Sequence, residues 1–417
     1  MLEFYAHNGI CLCPMGGTLP QGASAAAEPF APLVFLVARD PRTSRGFFAI
    51  EDIAELLESE GPALLLPLET PGAGPLAAFV REHGAAVLNT AFSRCFEVYS
   101  AYRARQGRPL RLTLVGLGDV GGAVLTGLKL LGRNIDRVAI YDPNAAQRAR
   151  YEMELGQVLP VEDGYPMPEI VTAGEGGPSA RELFDCDALL FTASRGVPGL
   201  DAGVLDVRMA QYEANRQMLA SYAKMAREAG FTGLFAQISD PVDHLARGVF
   251  LDSNAGEGGC DWGGLLPEQV RGFGLGVMRA RAMYYAKKEG LNPLPVRAYG
   301  PHGAGLVIAN DGGAGYDDAL SKTLTRQAAE ANLAVRALGF KPYIAPGLSS
   351  ACVSVLRALG GAWHDGAVPI GGAYFGCTAR FGKNGPLLRR EPLAQALFAR
   401  IGAAHAALCE FDGKRGG

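Results

Sequence analysis

The sequence predicts an α/β protein: a Rossmann-type, doubly wound parallel sheet at its centre, a small α/β lobe before it and an α+β domain after it. Three observations carry this reading. Residues Leu110–Asn144 run as apolar strand, glycine turn, apolar-periodic helix and second strand. Apolar strands and helices then keep alternating as far as Ile238, the order that builds parallel sheets. The 417 residues, 48% hydrophobic and 19% charged, suffice for two or three domains with sizeable cores. The expected divisions are 1–107, 108–250 and 251–417.

In the N-terminal lobe, apolar runs predict strands at Leu33–Ala38, Ala63–Leu68 and Ala85–Ala91. Helical spacing marks Ile50–Ser59, Leu76–His83 and Ser93–Arg105, and Thr70–Pro75, mostly proline and glycine, is a loop. After the glycine-turn unit come strand Arg137–Asp142, helix Ala145–Leu155, strand Glu169–Thr172, helix Ala180–Phe184 and strand Ala188–Thr192. A loop, Ser194–Asp206, leads to a long helix, Arg208–Ala229, and to strand Thr232–Ile238. The glycine-rich stretch Asp252–Leu266 reads as an interdomain linker. Beyond it the pattern gives helices Pro267–Gly290, Ser321–Leu338, Leu348–Leu359 and Pro392–Leu408, with strands at Val296–Tyr299 and Ala367–Gly376.

The glycine turn carries the first chemical signal. Gly116 permits a tight turn, Gly118 lets backbone approach a pyrophosphate, and Gly121 lets helix pack on strand. Asp119 and Val120 open the helix, whose free N–H groups and positive dipole end suit phosphate. Asp142, at the tip of the second strand, is placed to accept bonds from both hydroxyls of a ribose and to repel a 2′-phosphate. The pattern points to NAD as cofactor; a glycine turn used only for packing is the alternative.

Bulk properties exclude several other classes. The formal net charge of −3, with no basic run, gives no electrostatic case for nucleic acid. No apolar segment is long enough for a membrane span and the N-terminus lacks a signal-peptide pattern, so a cytoplasmic protein is expected. The eight cysteines are scattered, with only Cys11 and Cys13 close, and they read as free thiols and not as a metal site. His7, His83, His244, His364 and His405 are assigned no chemistry.

From Leu110 to near the C-terminus, the order of motifs resembles the NAD-dependent lactate/malate dehydrogenase family. The matching pieces are GLGDVGG, AIYDPN, RARYEMELGQVL, LLFTAS, DVRMAQYEANRQML, ISDPVDHL, GFGLGVMRAR, YGPHGAG and GLSSACVSVLRAL. The N-terminal lobe lies outside the resemblance. The resemblance implies that His302, in GPHG, is the acid/base that exchanges a proton with the substrate oxygen. It implies that Arg208 polarises the substrate carbonyl and that Arg279 grips the substrate carboxylate, with Arg281 taking that role if the register slips. Thr192, Ala193, Ser194 and Asn215 fall on cofactor-binding positions. The loop Ser194–Val207 corresponds to the closing loop over the site. Arg195, at its start, stands where malate-type enzymes hold a distal carboxylate.

Two departures accompany these matches. The family's aspartate, three residues before the carboxylate-binding arginine, is Gly276 here, or Met278 in the slipped register. Its Ser-Asn-Pro asparagine is Asp240. One reading is that the carboxylate has moved, so that Asp240 pairs with His302, raising the imidazole pKa and fixing its tautomer. The other is that Asp240 faces the ribose or solvent and the dyad is lost. The function expected is NAD(H)-dependent hydride transfer on a 2-hydroxy or 2-oxo acid; the alternative is a catalytically impaired NAD-binding sensor or assembly protein. A small-molecule carboxylate and further copies of the chain, as a dimer or tetramer, are the expected partners.

Overall fold

The computed structural model describes residues 2–195 and 207–415, with side chains described outside 207–211 and 412–415. The lobe forms a six-stranded sheet from β1 (Phe4–His7), β2 (Ile10–Pro14), β3 (Ser24–Ala26), β4 (Leu33–Val37), β5 (Phe47–Ile50) and β6 (Ala85–Asn89), in the order β3-β1-β2-β4-β6-β5. Strands β2, β4 and β6 run parallel, and β4 and β6 are buried along their whole length. Helices α1 (Pro75–His83) and α2 (Cys95–Ala104) complete it.

Two lobe expectations fail for the same reason. Ala63–Leu68 is not a strand: Leu64 N–H bonds the Gly61 carbonyl and Leu66 N–H that of Ala63, so the backbone closes locally into a 3₁₀ turn, Pro62–Leu65. Ile50–Ser59 is not one helix. Its first residue ends β5, and a separate 3₁₀ turn, Ile53–Leu57, starts where Asp52 and Glu55 form a capping box. Partners available nearby outweighed the apolar periodicity.

The central sheet has nine strands in the order β19-β18-β17-β14-β11-β10-β7-β8-β9. Its nucleotide-type half is β7 (Leu110–Val115), α3 (Asp119–Leu131), β8 (Ile135–Tyr141), α4 (Ala145–Gly156), β9 (Glu169–Thr172), α5 (Ala180–Leu183), β10 (Ala188–Phe191), α6 (Val207–Glu228) and β11 (Leu234–Gln237). Leu112, Leu114, Leu189, Leu190, Phe235 and Ala236 are buried, as parallel strands covered on both faces require. The expected boundary at 250 does not hold: residue 250 lies inside α7 (Val242–Ser253), and the sheet continues beyond it.

The rest of the sheet comes from the third expected domain. After a small ribbon, β12 (Ala255–Gly256) and β13 (Gly259–Cys260), strand β14 (Val270–Gly272) pairs parallel with β11. Asp252–Leu266 is therefore no loose linker; Asn254 and Ser253 are fully buried and bond its backbone. The predicted helix Pro267–Gly290 divides into a 3₁₀ turn, β14 and α8 (Leu275–Lys288), because Val270–Gly272 fills an open sheet edge. Strands β15 (Arg297–Tyr299) and β16 (Val307–Ala309) form a second ribbon, followed by α9 (Asp318–Ala337). A π-helical turn, Pro346–Val353, runs into α10 (Ser354–Leu359). The predicted strand Ala367–Gly376 is a hairpin, β17 (His364–Ile370) and β18 (Ala373–Gly382), because Gly371 and Gly372 both take positive φ. Strand β19 (Gly385–Leu388) and helix α11 (Gln395–Arg415) end the chain.

The lobe shares a core with the rest: Phe47, Leu88, Phe92 and Tyr99 pack in one cluster with Val249, Phe250, Leu266 and Tyr374. Glu268 reaches across to accept hydrogen bonds from Gly46 and Phe47 N–H at 3.0 Å. Burial pushes its carboxyl up to about 7. No described helix is long and apolar enough to cross a membrane.

Candidate active site

The glycine turn sits at the carboxyl ends of β7 and β8, where ligands of open parallel sheets bind. Gly116 has φ +98°, and a Cβ there would meet the Ala193 backbone. A Cβ on Gly121 would collide with the Gly116 carbonyl oxygen. At Gly118, which caps α3, a Cβ would meet nothing within 4 Å, so open space faces the helix N-terminus. Residues of this kind fit a dinucleotide pyrophosphate: small turn residues, an open approach and free N–H groups at Asp119, Val120 and Gly121. The Asp119 carboxylate is paired with Lys341 at 3.0 Å.

Asp142 is half-buried at the end of β8. Its oxygens accept from Leu117 and Asn144 N–H, both at 2.9 Å, which fixes the carboxylate beside the glycine turn and leaves lone pairs for a hydroxyl donor. Thr192 donates to the Val115 and Gly116 carbonyls at 3.0 and 2.7 Å, fastening the β10 loop to the turn.

Asn215 ties the neighbouring loops together. It is fully buried; Nδ2 donates to the Asp240 carbonyl at 2.7 Å and to Ser194 Oγ at 3.2 Å, and Oδ1 accepts from Arg195 N–H at 2.7 Å. With its amide used in this way it positions the loops after β10 and β11. Ser239 adds a bond to the Ala193 carbonyl at 2.5 Å.

These loops bring Asp240 to the histidine. His302 Nδ1 lies 2.9 Å from Asp240 Oδ1; the ring is buried and the carboxylate half-exposed. The His302 N–H also donates to Asp243 Oδ2 at 2.7 Å, fixing the loop to α7. A Cβ on Gly274 would come 2.7 Å from His302 Cβ, so the start of α8 backs the ring. The contacts Gly116–Ala193–Ser239–Asp240–His302 thus run from the glycine turn to the imidazole. A cavity of about 190 Å³ adjoins it, lined by Pro241, Asp243, His244, Ala404 and Phe411 among others.

The expected substrate arginines are placed differently. Arg279 is paired with Asp365 at 3.1 Å through Nη1, and its Nε donates to the Val296 carbonyl. Two of its donors are therefore already used within the protein, and Asp365 offsets the charge. Arg281 contacts Met278 sulfur and the Ala328 carbonyl. Arg195 is exposed, and its charge opposes the burial that pushes the Tyr222 phenol up to about 12. The Arg208 side chain and the loop 196–206 lie outside the described residues. Gly276 faces the Ser354 hydroxyl so closely that a Cβ would collide with it, so an aspartate has no room in this backbone.

Sequence reasoning missed Asp243 and Asp365. The first had a signal, the second acid of DPVD; the second had none, because only the β17–β18 hairpin brings it to α8.

The fold and this site define a class: an α/β protein with a dinucleotide-type crevice and a carboxylate–imidazole pair at its edge. No protein-family model matches the chain. It is 25% identical over 207 residues to the L-lactate dehydrogenase of Mesomycoplasma hyopneumoniae strain 232, covering 48% of this chain and 58% of that relative. Against the L-lactate dehydrogenase of Mycoplasma pneumoniae it is 28% identical over 203 residues, with the same coverage. The chain thus spans under two thirds of the curated relatives it matches. In solved structures, a lactate dehydrogenase from a Medee basin deep-sea metagenome library aligns with TM-score 0.57 at 16% identity, over 73% of this chain and 98% of that one. Malate dehydrogenase from Plasmodium falciparum gives 0.56 at 17%, over 73% and 97%. Cryptosporidium parvum lactate dehydrogenase, solved with lactic acid and β-nicotinamide adenine dinucleotide, gives 0.55 at 16%, over 73% and 98%. The structural likenesses show the fold, and the relatives a distant lactate/malate dehydrogenase-like relationship.

Proposed function

We propose that the chain is an NAD(H)-dependent oxidoreductase acting on a 2-hydroxy or 2-oxo acid or a related substrate. The observation that carries this reading is the His302–Asp240 pair at 2.9 Å, linked through two loops to a glycine turn shaped for pyrophosphate. Bound nicotinamide supplies or accepts the hydride. Gly116, Gly118, Asp119, Val120 and Gly121 hold the phosphates by backbone, Asp142 holds the ribose, and Thr192, Ala193 and Ser194 close the crevice. His302 exchanges a proton with the substrate oxygen through Nε2, while Asp240 on Nδ1 orients the ring and stabilises the imidazolium. Arg208, carried on α6, polarises the carbonyl; Arg195 is the remaining cation proposed to meet a substrate carboxylate.

A second reading, a nucleotide-binding protein with impaired chemistry, is favoured by Arg279 being held by Asp365 and by Gly276 having no room for the dyad aspartate. NADH oxidation against a broad panel of 2-oxo acids separates the two. Turnover with any acid that His302→Gln abolishes supports the enzyme. Tight NADH binding without turnover across the panel supports the second reading.

A further inference from the structure

We propose that a cavity at the amino ends of the central strands is a second ligand site, taking a small organic monocarboxylate with an apolar body whose carboxylate is held by Arg105. The cavity, about 430 Å³ and open to solvent on one side, is bounded by the starts of β7 and β11, the residues before β10 and β14, the end of α10, the β18–β19 turn and α2 of the lobe. It lies at the opposite edge of the sheet from the candidate active site, about 20 Å away for a six-residue strand. Its existence does not rest on the proposed function.

Its walls set the ligand's body. Phe47, Tyr102, Leu110, Leu234, Leu359 and Phe381 line it, and Phe47 and Tyr102 pack edge to face at 5.3 Å. Five lining residues, Phe47, Tyr102, Arg105, Gln106 and Gly107, come from the N-terminal lobe, so the lobe supplies an aromatic side and a cation.

Charge sets the ligand's head group. The acidic and basic lining residues are Arg105, Asp187, Glu268 and Lys383. Asp187 is held bidentately by Arg108 at 2.6 and 3.0 Å and accepts from Arg111 N–H. Glu268 accepts from Gly46 and Phe47 N–H. Lys383 is exposed at the β18–β19 turn. Arg105 differs from these: it is half-buried, its guanidinium makes a long 3.5 Å bond to Thr232 Oγ1, and the Asp187 carboxylate acts on it only from beyond ion-pair distance, being held by Arg108. Removing a guanidinium from water without a directly bonded anion is costly, and a carboxylate ligand would relieve that cost by a charge-assisted bond. Gln106 and Gln269, also in the lining, already donate to the Lys383, Phe231 and Gly233 carbonyls.

Phenylacetate is the probe, followed by calorimetric titration of the full chain with phenylacetamide as its neutral counterpart. Phenylacetate is expected to bind at about 1 mM or tighter. Loss of the charged contact in Arg105→Gln, or of the charge in the amide, should weaken binding by about tenfold or more. Arg105→Lys should retain part of the affinity, and Asp240→Asn all of it. On binding, hydrogen exchange should slow over residues 102–110 and 358–361. Equal affinity for the amide, equal affinity of Arg105→Gln, protection at the glycine turn instead, or no binding at about 10 mM would each overturn the assignment.

Discussion

Replacing Asp240 by Asn removes one negative charge from a pair 2.9 Å apart and changes little else. The backbone carbonyl of residue 240 stays anchored by Asn215, and the loop after β11 keeps its bond from Ser239 to Ala193. The lost quantity is therefore the charge-assisted bond to Nδ1. Such bonds contribute about 1.5–3 kcal/mol, or about 10–100-fold in rate if the bond strengthens as the imidazolium forms. If the new amide instead donates to Nδ1, the ring is held in the wrong tautomer and the loss approaches about 10⁴-fold, as in the corresponding substitution in serine proteases. The assay is single-turnover and steady-state NADH oxidation with the best 2-oxo acid of the panel, beside NADH affinity by fluorescence titration. A fall in kcat of about 10²–10⁴ with NADH affinity within about twofold is expected, and Asp240→Glu should restore part of the rate. A kcat within about twofold of the parent protein would refute a positioning carboxylate at residue 240.

Three further outcomes are expected. Gly121→Ala drives a methyl into the Gly116 carbonyl oxygen and should weaken NADH binding by about tenfold or more, read by the same titration, because overpacking here costs about 1–3 kcal/mol and reshapes the turn. Asn215→Leu strands the Arg195 N–H and the Asp240 carbonyl in a part-buried setting; thermal unfolding should show a loss of about 1–2 kcal/mol, and Asn215→Asp should still accept from Arg195 while losing the bond to the Asp240 carbonyl. Glu268 titrates at about 7 when folded and near 4.5 when unfolded, so between these values the folded state binds more protons and its stability falls as pH rises. Denaturant unfolding from pH 5 to 8 should show wild type losing up to about 3 kcal/mol relative to Glu268→Gln, since each pH step of one between the two values costs about 1.4 kcal/mol. Taking the difference between the two proteins matters, since buried His364, held down to about 3, contributes the opposite slope below its unfolded value of 6.5. A flat difference would show that Glu268 stays ionised.

Local pattern alone determined the glycine-turn unit, the parallel strands β7, β8, β10 and β11, and the helices between them. Each of these follows from turn chemistry and from side chains that must be buried, and both are properties of a short stretch of chain. The ends of Glu169–Thr172 were legible to the residue. Asp240 could be singled out beside His302 only through the resemblance to lactate/malate dehydrogenases, on which ISDPVDHL and YGPHGAG fall at the site. Tertiary structure decided the rest. Val270–Gly272 left a helical pattern to pair with β11, Asp365 arrived at Arg279 on a hairpin, and Asn215 became a tie between loops. Those outcomes depend on groups 20 to 86 residues apart in the chain satisfying one another's charges and hydrogen bonds. No window of neighbouring residues contains both partners, so only the folded chain could settle them.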